Sequence, residues 1–287
     1  MNKAYIKYIL SLLLFGLNGI VASHIALPGY EIVLLRTFIG SLFLLVLFLF
    51  AKNKFTFYYK KKDFFFLVLS GAAMGTSWMF LYEAYSRIGV SLASLLYYCG
   101  SVIVMALSPF LFKEKLSFAK LIGFAAVLLG IVLINGNVSE AEGESFGLAC
   151  GLLSAATYAV MVTANKKAAK ISGMENALLQ LIVSFITVAV FVFFKSGFHI
   201  SIPAGSLIWI LVLGLLNTGL GCYLYFFSIG RLSVQTVAIL GYLEPLSAVL
   251  FSLILLNESI AALQITGAVF IFGGALFGEC FGLKLKR

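Results

Sequence analysis

The sequence predicts an all-α membrane protein: ten transmembrane helices arranged as two inverted five-helix repeats. Three observations predict it. Ten apolar stretches fill almost the whole chain, each near the about 20 residues a helix needs to cross a bilayer core. The basic residues divide unevenly between two sets of connections. The chain also matches itself, without a gap, at an offset of 144 residues. Composition agrees, with 62% hydrophobic and 11% charged residues, against about 25% charged in a soluble domain.

Backbone groups facing lipid must be satisfied within their own segment, so each stretch is read as a helix. The alternating polarity of membrane-barrel strands is absent. The first span, 5–22, follows Lys3 and Lys7 and has the look of a signal peptide. No soluble domain follows it, and it has a counterpart in the second half, so it is read as a span. The second, 32–51, follows Glu31, an acid favoured at a helix N-terminus, and carries Arg36 about one turn inside. The third, 64–86, has Gly71 and Gly75 at a spacing that lets helices approach closely, with Glu83 near its outer end. The fourth, 91–112, opens with Tyr97 and Tyr98, and the fifth, 118–136, leads to the acidic segment Glu140-Ala-Glu-Gly-Glu144. The sixth, 145–165, ends before Lys166 and Lys167; the seventh, 174–195, has Glu175 at its N-terminus, the counterpart of Glu31 at the second. The eighth, 205–228, contains Gly219-Leu-Gly221, which is no phosphate loop because no Lys follows. The ninth, 234–256, carries Glu244-Pro245 at its middle, and the tenth covers 262–281.

With these spans, seventeen Lys and Arg fall on one side and only Arg87 and Lys195 on the other, Arg36 lying within a span. The positive-inside rule then puts both termini in the cytoplasm, in a bacterial-type cytoplasmic membrane. The net charge of +9 is thus a topology signal. It is split among short loops and forms no stripe for nucleic acid. Cys99, Cys150, Cys222 and Cys280 fall within spans without metal-type spacing. Asn137-Val-Ser139 and Asn257-Glu-Ser259 fit the glycosylation pattern by chance. His24 and His199 sit in outer loops and are not read as proton relays. No nucleotide site, metal cluster or Ser-His-Asp set is visible, so neither an enzyme nor an ATP-driven pump is expected, and no cofactor. The expected partners are the lipid bilayer and a small-molecule substrate, with the chain a monomer or homodimer.

At the 144-residue offset Gly29 and Glu31 meet Gly173 and Glu175; Gly75, Arg87 and Tyr98 meet Gly219, Arg231 and Tyr242; Glu114, Gly123 and Gly130 meet Glu258, Gly267 and Gly274. The repeats are placed at 1–143 and 144–287. Five spans per half is an odd number, so equivalent residues face opposite sides of the membrane. Inverted repeats are a mark of secondary transporters, where exchanging the conformations of the halves gives alternating access.

Four stretches carry a resemblance: Phe15-Gly-Leu-Asn18, Ala155-Ala-Thr-Tyr-Ala159, Leu111-Phe-Lys-Glu114, and Tyr242-Leu-Glu-Pro-Leu246 leading to Leu255-Leu-Asn-Glu258. On these the chain resembles the EamA-type, ten-helix class of the drug/metabolite transporter superfamily, over its whole length. It departs where that class usually has Trp near Phe15 and Pro near Ser101. The resemblance implies a central cavity lined by spans one, three, four, six, eight and nine, with Asn18 facing it.

Ionisable residues inside a bilayer are costly, about 2.5–3.5 kcal/mol at the centre on insertion scales, and are functional suspects. Glu244 is one. Pro245 cannot donate to the Gly241 carbonyl, which predicts a kink and a free carbonyl beside a midplane carboxylate. Glu244 either contacts substrate or a proton, or serves as a scaffold and gate. Glu83 precedes Arg87 by one turn, a favourable helix pair, or else attracts cations at an outer vestibule. Trp78, Tyr82, Tyr97 and Tyr98 with that carboxylate could hold a quaternary ammonium by cation–π attraction. Tyr242 is added to this candidate substrate set. Arg36, with Pro245 and Gly241, is a gating candidate, its alternative being to snorkel to the surface. Asn18 is either a cavity residue or interhelical glue.

The function expected is secondary active transport of small polar organic metabolites, such as amino acids, by alternating access, with coupling to a proton or other ion left open. The alternatives are an importer of a choline-like cation and a lipid-linked carrier flippase. The orientation is checked in a version lacking the native cysteines. A single cysteine replacing Glu142 should react with an impermeant reagent added outside sealed cells, and one replacing Lys61 should be protected. The opposite pattern refutes both orientation and inversion.

Overall fold

The computed structural model describes residues 3–114, 117–135, 145–197, 200–256, 263, 265–267, 269–274 and 277. The acidic segment 140–144, His199, Asn137, Asn257, Glu258 and Cys280 lie outside these residues, as does much of the tenth expected span. All regular structure among the described residues is helical: α1 (Lys3–Gly16), α2 (Asn18–Ser23), α3 (Gly29–Phe50), α4 (Lys61–Phe112), α5 (Phe118–Asn135), α6 (Ser145–Lys167), α7 (Gly173–Ser196), α8 (Leu207–Val212), α9 (Gly221–Ile229), α10 (Val234–Leu240) and α11 (Leu243–Leu256). Among the described residues, six stretches are long and apolar enough to cross a membrane: Lys3–Ser23, Gly29–Phe50, Lys61–Ile88, Ser145–Lys167, Gly173–Ser196 and Ala204–Ile229. Shorter apolar helices cover Leu96–Phe112, Phe118–Gly130 and Ile265–Gly274. The protein is an all-α membrane protein.

The third and fourth expected spans fall in one helical run of 52 residues. Straight, it would reach about 78 Å, far beyond the about 30 Å of a bilayer core. It instead doubles back along α6. The Ser77 hydroxyl donates to Ser154 O at 2.9 Å, and a Cβ on Gly100 would lie 2.7 Å from Ala155 O. Residues 77 and 100 are therefore level. Ile88 lies against Gly147 and Leu96 against Gly151, so the reversal falls between them, and the connection is short enough for helical backbone to persist through it.

α3 and α7 are equivalent at the 144-residue offset, and they pack antiparallel. Val33 and Leu34 meet Val188 and Val192, Phe38 and Phe185 have ring centroids 5.4 Å apart, and the Lys195 ammonium lies 4.3 Å from the Tyr30 ring. Glycine contacts also exchange between equivalents. Gly40 abuts Thr218 and Gly219, while Ser184 abuts Gly75. Gly130 abuts Gly267, and Gly274 abuts Gly123. A two-fold relation pairs contacts in this way. At one end of the bundle Glu175 accepts from the Thr56 and Phe57 amides at 2.6 and 2.9 Å, and Lys60 donates to Lys170 O at 2.7 Å, so these lysine-rich loops meet. Arg87 and Lys195 share a pocket at the other end.

The Gly130 contact gives a stability prediction. A Cβ there would lie 2.5 Å from Gly267 O, a backbone atom that cannot turn aside. Gly130→Leu should cost about 1–3 kcal/mol, the range for overpacking, seen as a lower melting temperature in detergent. Val132→Leu, at an exposed site on the same helix, should change little. Equal melting temperatures would refute the close contact.

Candidate functional site

The cavity forms where three spans lose regularity. In the first, α1 gives way to α2 at Leu17, whose amide bonds Leu14 O at 3.2 Å. That carbonyl also accepts from Asn217 Nδ2 at 2.8 Å. In the eighth, the backbone is π-helical over Leu213–Leu220, a feature frequent at functional sites. Thr218 there returns its hydroxyl to Leu213 O at 2.8 Å. In the ninth, α10 ends at Leu240 and α11 begins at Leu243, with Gly241 and Tyr242 in the turn. The break expected from Glu244-Pro245 is present, but the free Gly241 carbonyl is not. The Glu244 amide, three residues on, donates to it at 3.1 Å. The Tyr8 hydroxyl braces the same break from α1, donating to Val237 O at 2.8 Å.

Glu244 lies in the first turn of α11. It lines both a vestibule of about 520 Å³ and an inner chamber of about 50 Å³. Among the described residues no hydrogen bond or ion pair reaches its carboxylate. Asn18, Trp78 and Tyr97 also line both spaces. Tyr82, Tyr98 and Arg36 line the vestibule, which opens past Ser23 and Ser86 toward the end that carries Arg87. Arg36 does not snorkel: it is 3% exposed. Its Nε donates to Thr218 Oγ1 at 2.9 Å and its Nη2 to Asn18 Oδ1 at 3.4 Å, with the guanidinium carbon 4.4 Å from the Trp78 ring centroid. Trp78 thus faces the cavity, not lipid, and one cation already covers it.

Two of the expected residues stand elsewhere. Glu83 bonds Arg87 Nε at 2.8 Å and lines, with Phe146 and Lys195, a pocket that adjoins the vestibule through Gly29, Tyr82 and Ser86; the helix pair is the reading the structure supports. Tyr242 is fully buried. Its hydroxyl donates to Tyr98 O at 3.0 Å and its ring packs on Phe124, so it builds core and lines neither space. The inner chamber has walls that spacing did not single out: Tyr158 and Tyr225, with hydroxyls 3.4 Å apart, and Met74 and Met161. Tyr158 sits in the Ala155–Ala159 stretch that carried the family resemblance; Tyr225 gave no local signal. No metal-ligand set of three or more His, Cys, Asp or Glu occurs among the described residues.

Beyond the chamber, the end away from the vestibule is shut by polar contacts. Lys166 donates to Ile229 O and Leu232 O. Glu114 accepts from the Val234 and Gln235 amides at 2.9 and 3.2 Å, where an acid suits a helix N-terminus. The Lys7 ammonium lies 3.6 Å from the Phe227 ring.

The profile of the EamA-like transporter family matches this chain twice, over residues 2–136 and 145–278. The chain belongs to that family. The EamA-like chain is 27% identical to an uncharacterised transporter, YxxF, of Bacillus subtilis, over 95% of its own length and 88% of the relative's. It is 28% identical to a probable amino-acid metabolite efflux pump of Salmonella typhimurium over 68% and 69%. A solved crystal structure covers 97% of the chain and 98% of its own length with a TM-score of 0.84 at 17% identity, a likeness that shows the shared fold. The resemblance read from the four stretches is therefore correct at the level of the family.

Arg36 gives the test of this site. Hydrogen bonds to charged groups contribute about 1.5–3 kcal/mol each. Arg36→Ala should lower thermal stability in detergent by an amount in that range. Arg36→Lys should not restore it, because an ammonium cannot both stack on Trp78 and bridge Thr218 and Asn18. Full rescue by Lys would show that charge alone matters.

Proposed function

We propose that this EamA-like protein is a secondary active transporter of small zwitterionic metabolites of the amino-acid kind, working by alternating access in a bacterial-type cytoplasmic membrane. One observation carries the reading: an unpartnered carboxylate, Glu244, and a guanidinium, Arg36, line the same vestibule. A substrate ammonium would pair with Glu244 and its carboxylate with the Arg36 and Asn18 side. Charge-assisted hydrogen bonds of this type are about twice as strong as neutral ones. The aromatic walls of Trp78, Tyr97 and Tyr158 would cover the apolar part of the solute. The name of the Salmonella typhimurium relative, a probable amino-acid metabolite efflux pump, supports the substrate class. The double family match and the antiparallel packing of α3 on α7 support a pair of inverted units that exchange conformations.

A choline-like cation has less support. The Trp78 ring already carries the Arg36 guanidinium, and the Glu83 carboxylate is already paired with Arg87. A flippase would need a lateral opening into the cavity. The apolar cleft beside Leu13, Leu243 and Phe272 shares no lining residue with the chamber or vestibule.

Glu244→Gln keeps size and hydrogen bonding but removes the charge. The variant should reach the membrane in normal amount and lose most uptake or efflux of radiolabelled amino acids in vesicles. Transport equal to wild type, with an unchanged pH profile, would remove Glu244 from the mechanism.

A further inference from the structure

The vestibule cation has a counterpart that the cavity does not reach. At the 144-residue offset Arg36 on α3 corresponds to Gln180 on α7, and Gly40 to Ser184. The surroundings correspond too: Gly40 lies against Gly219 of the eighth span, and Ser184 against Gly75 of α4. The two environments differ in one respect. Arg36 faces open space and has its partners. Gln180 and Ser184 are sealed between α7 and α4, each with 0% exposure. Gln180 Nε2 donates to Ser70 Oγ at 2.7 Å, and the Ser70 hydroxyl donates to Met161 O at 2.7 Å. Gln180 Oε1 and Ser184 Oγ, one turn apart on one face of α7, have no hydrogen-bond partner among the described residues. Such orphans are rare in folded proteins, and each carries the desolvation penalty of an unmade bond. Core packing does not call for two adjacent ones. Met161, whose carbonyl ends this chain of polar groups, lines the inner chamber. The strip Ser70, Gln180, Ser184 therefore lies just behind the chamber wall, toward the closed end.

We propose that Gln180 and Ser184 form the polar wall of the substrate cavity when it opens at the opposite end, in the place that Arg36 and its partners hold in the vestibule. This rests on the alternating-access reading above. Opening gives the two orphan oxygens water or substrate to bond, so the strip favours the motion that exposes it. The amide and hydroxyl offer neutral hydrogen bonds to the polar head of a zwitterion where Arg36 offers a full charge. Neither group adds the ion–ion attraction that the Arg36 guanidinium adds, so the solute is held more loosely on this face than on the vestibule face.

The test is cysteine reactivity toward N-ethylmaleimide of purified protein, in a version lacking Cys99, Cys150, Cys222 and Cys280. Ser184→Cys is nearly isosteric and breaks no bond; Gln180→Cys is the second probe, and Leu232→Cys reports the closed end, where Lys166 anchors. Each is measured with Lys166 intact and with Lys166→Ala, which removes two charge-assisted bonds and should raise the open population about tenfold or more. The proposal expects Ser184→Cys and Gln180→Cys to gain reactivity together with Leu232→Cys. If Leu232→Cys gains and both α7 probes stay inert, the strip is structural: the inference fails while the opening stands. If none of the three gains, opening at that end fails and takes the inference with it. Each variant is first checked for a monodisperse elution profile, so that reactivity from unfolding is excluded.

Discussion

A backbone carbonyl inside a bilayer has no water to turn to, and the site of this protein depends on that constraint. A cavity for a polar solute needs helices that break and turn polar groups inward, and every break frees backbone groups. Here the first and ninth breaks each receive a side chain from another span, while in the eighth Thr218 returns its hydroxyl to Leu213 O of the same span. Asn217 of the π-helical stretch holds Leu14 O at the first break, and Tyr8 of α1 holds Val237 O beside the ninth-span break. The Glu244 amide takes the carbonyl that Pro245 cannot serve. Spans one, eight and nine are thus tied to one another by the same irregularities that shape the chamber. Disturbing one break loosens the supports of the others.

The charges follow the same logic. Arg36 is buried at a cost that three neighbours offset: Thr218, Asn18 and the Trp78 face. Two of those neighbours lie beside helix breaks, so the irregular backbone also supplies the site's second layer of contacts. Glu244 is left without such partners and faces the vestibule, where a solute can approach. At the closed end the charged groups meet helix termini instead. Lys166 sits on the carbonyls at the end of α9 and Glu114 on the amides at the start of α10. Both contacts join separate helices through backbone groups at their ends.

The sequence determined a good deal. The apolar runs, with their length near that of a bilayer core, dictated helices. The four motif stretches pointed to the family, and Glu244-Pro245 located the ninth-span break. These are local properties: burial of a continuous apolar run and the missing amide of proline act on their own segment whatever lies beside it. The sequence could also rank Arg36 and Glu244 as suspects, because a charge in lipid is costly wherever it points.

Only the tertiary structure decided where those groups point. Arg36 could have reached the surface; the π-helical turn that presents Thr218, and the approach of Asn18 and Trp78, hold it inside. Glu83 and Tyr242 had the right chemistry for a cation site, but a partner one turn away claimed the first and the Tyr98 carbonyl the second. Tyr158 and Tyr225, 67 residues apart, meet across the chamber, a juxtaposition that no local spacing encodes. Side-chain direction depends on helix rotation and on the depth at which neighbouring spans cross. Both are set by contacts between distant segments, such as the glycine faces of α3 with the eighth span and of α4 with α7.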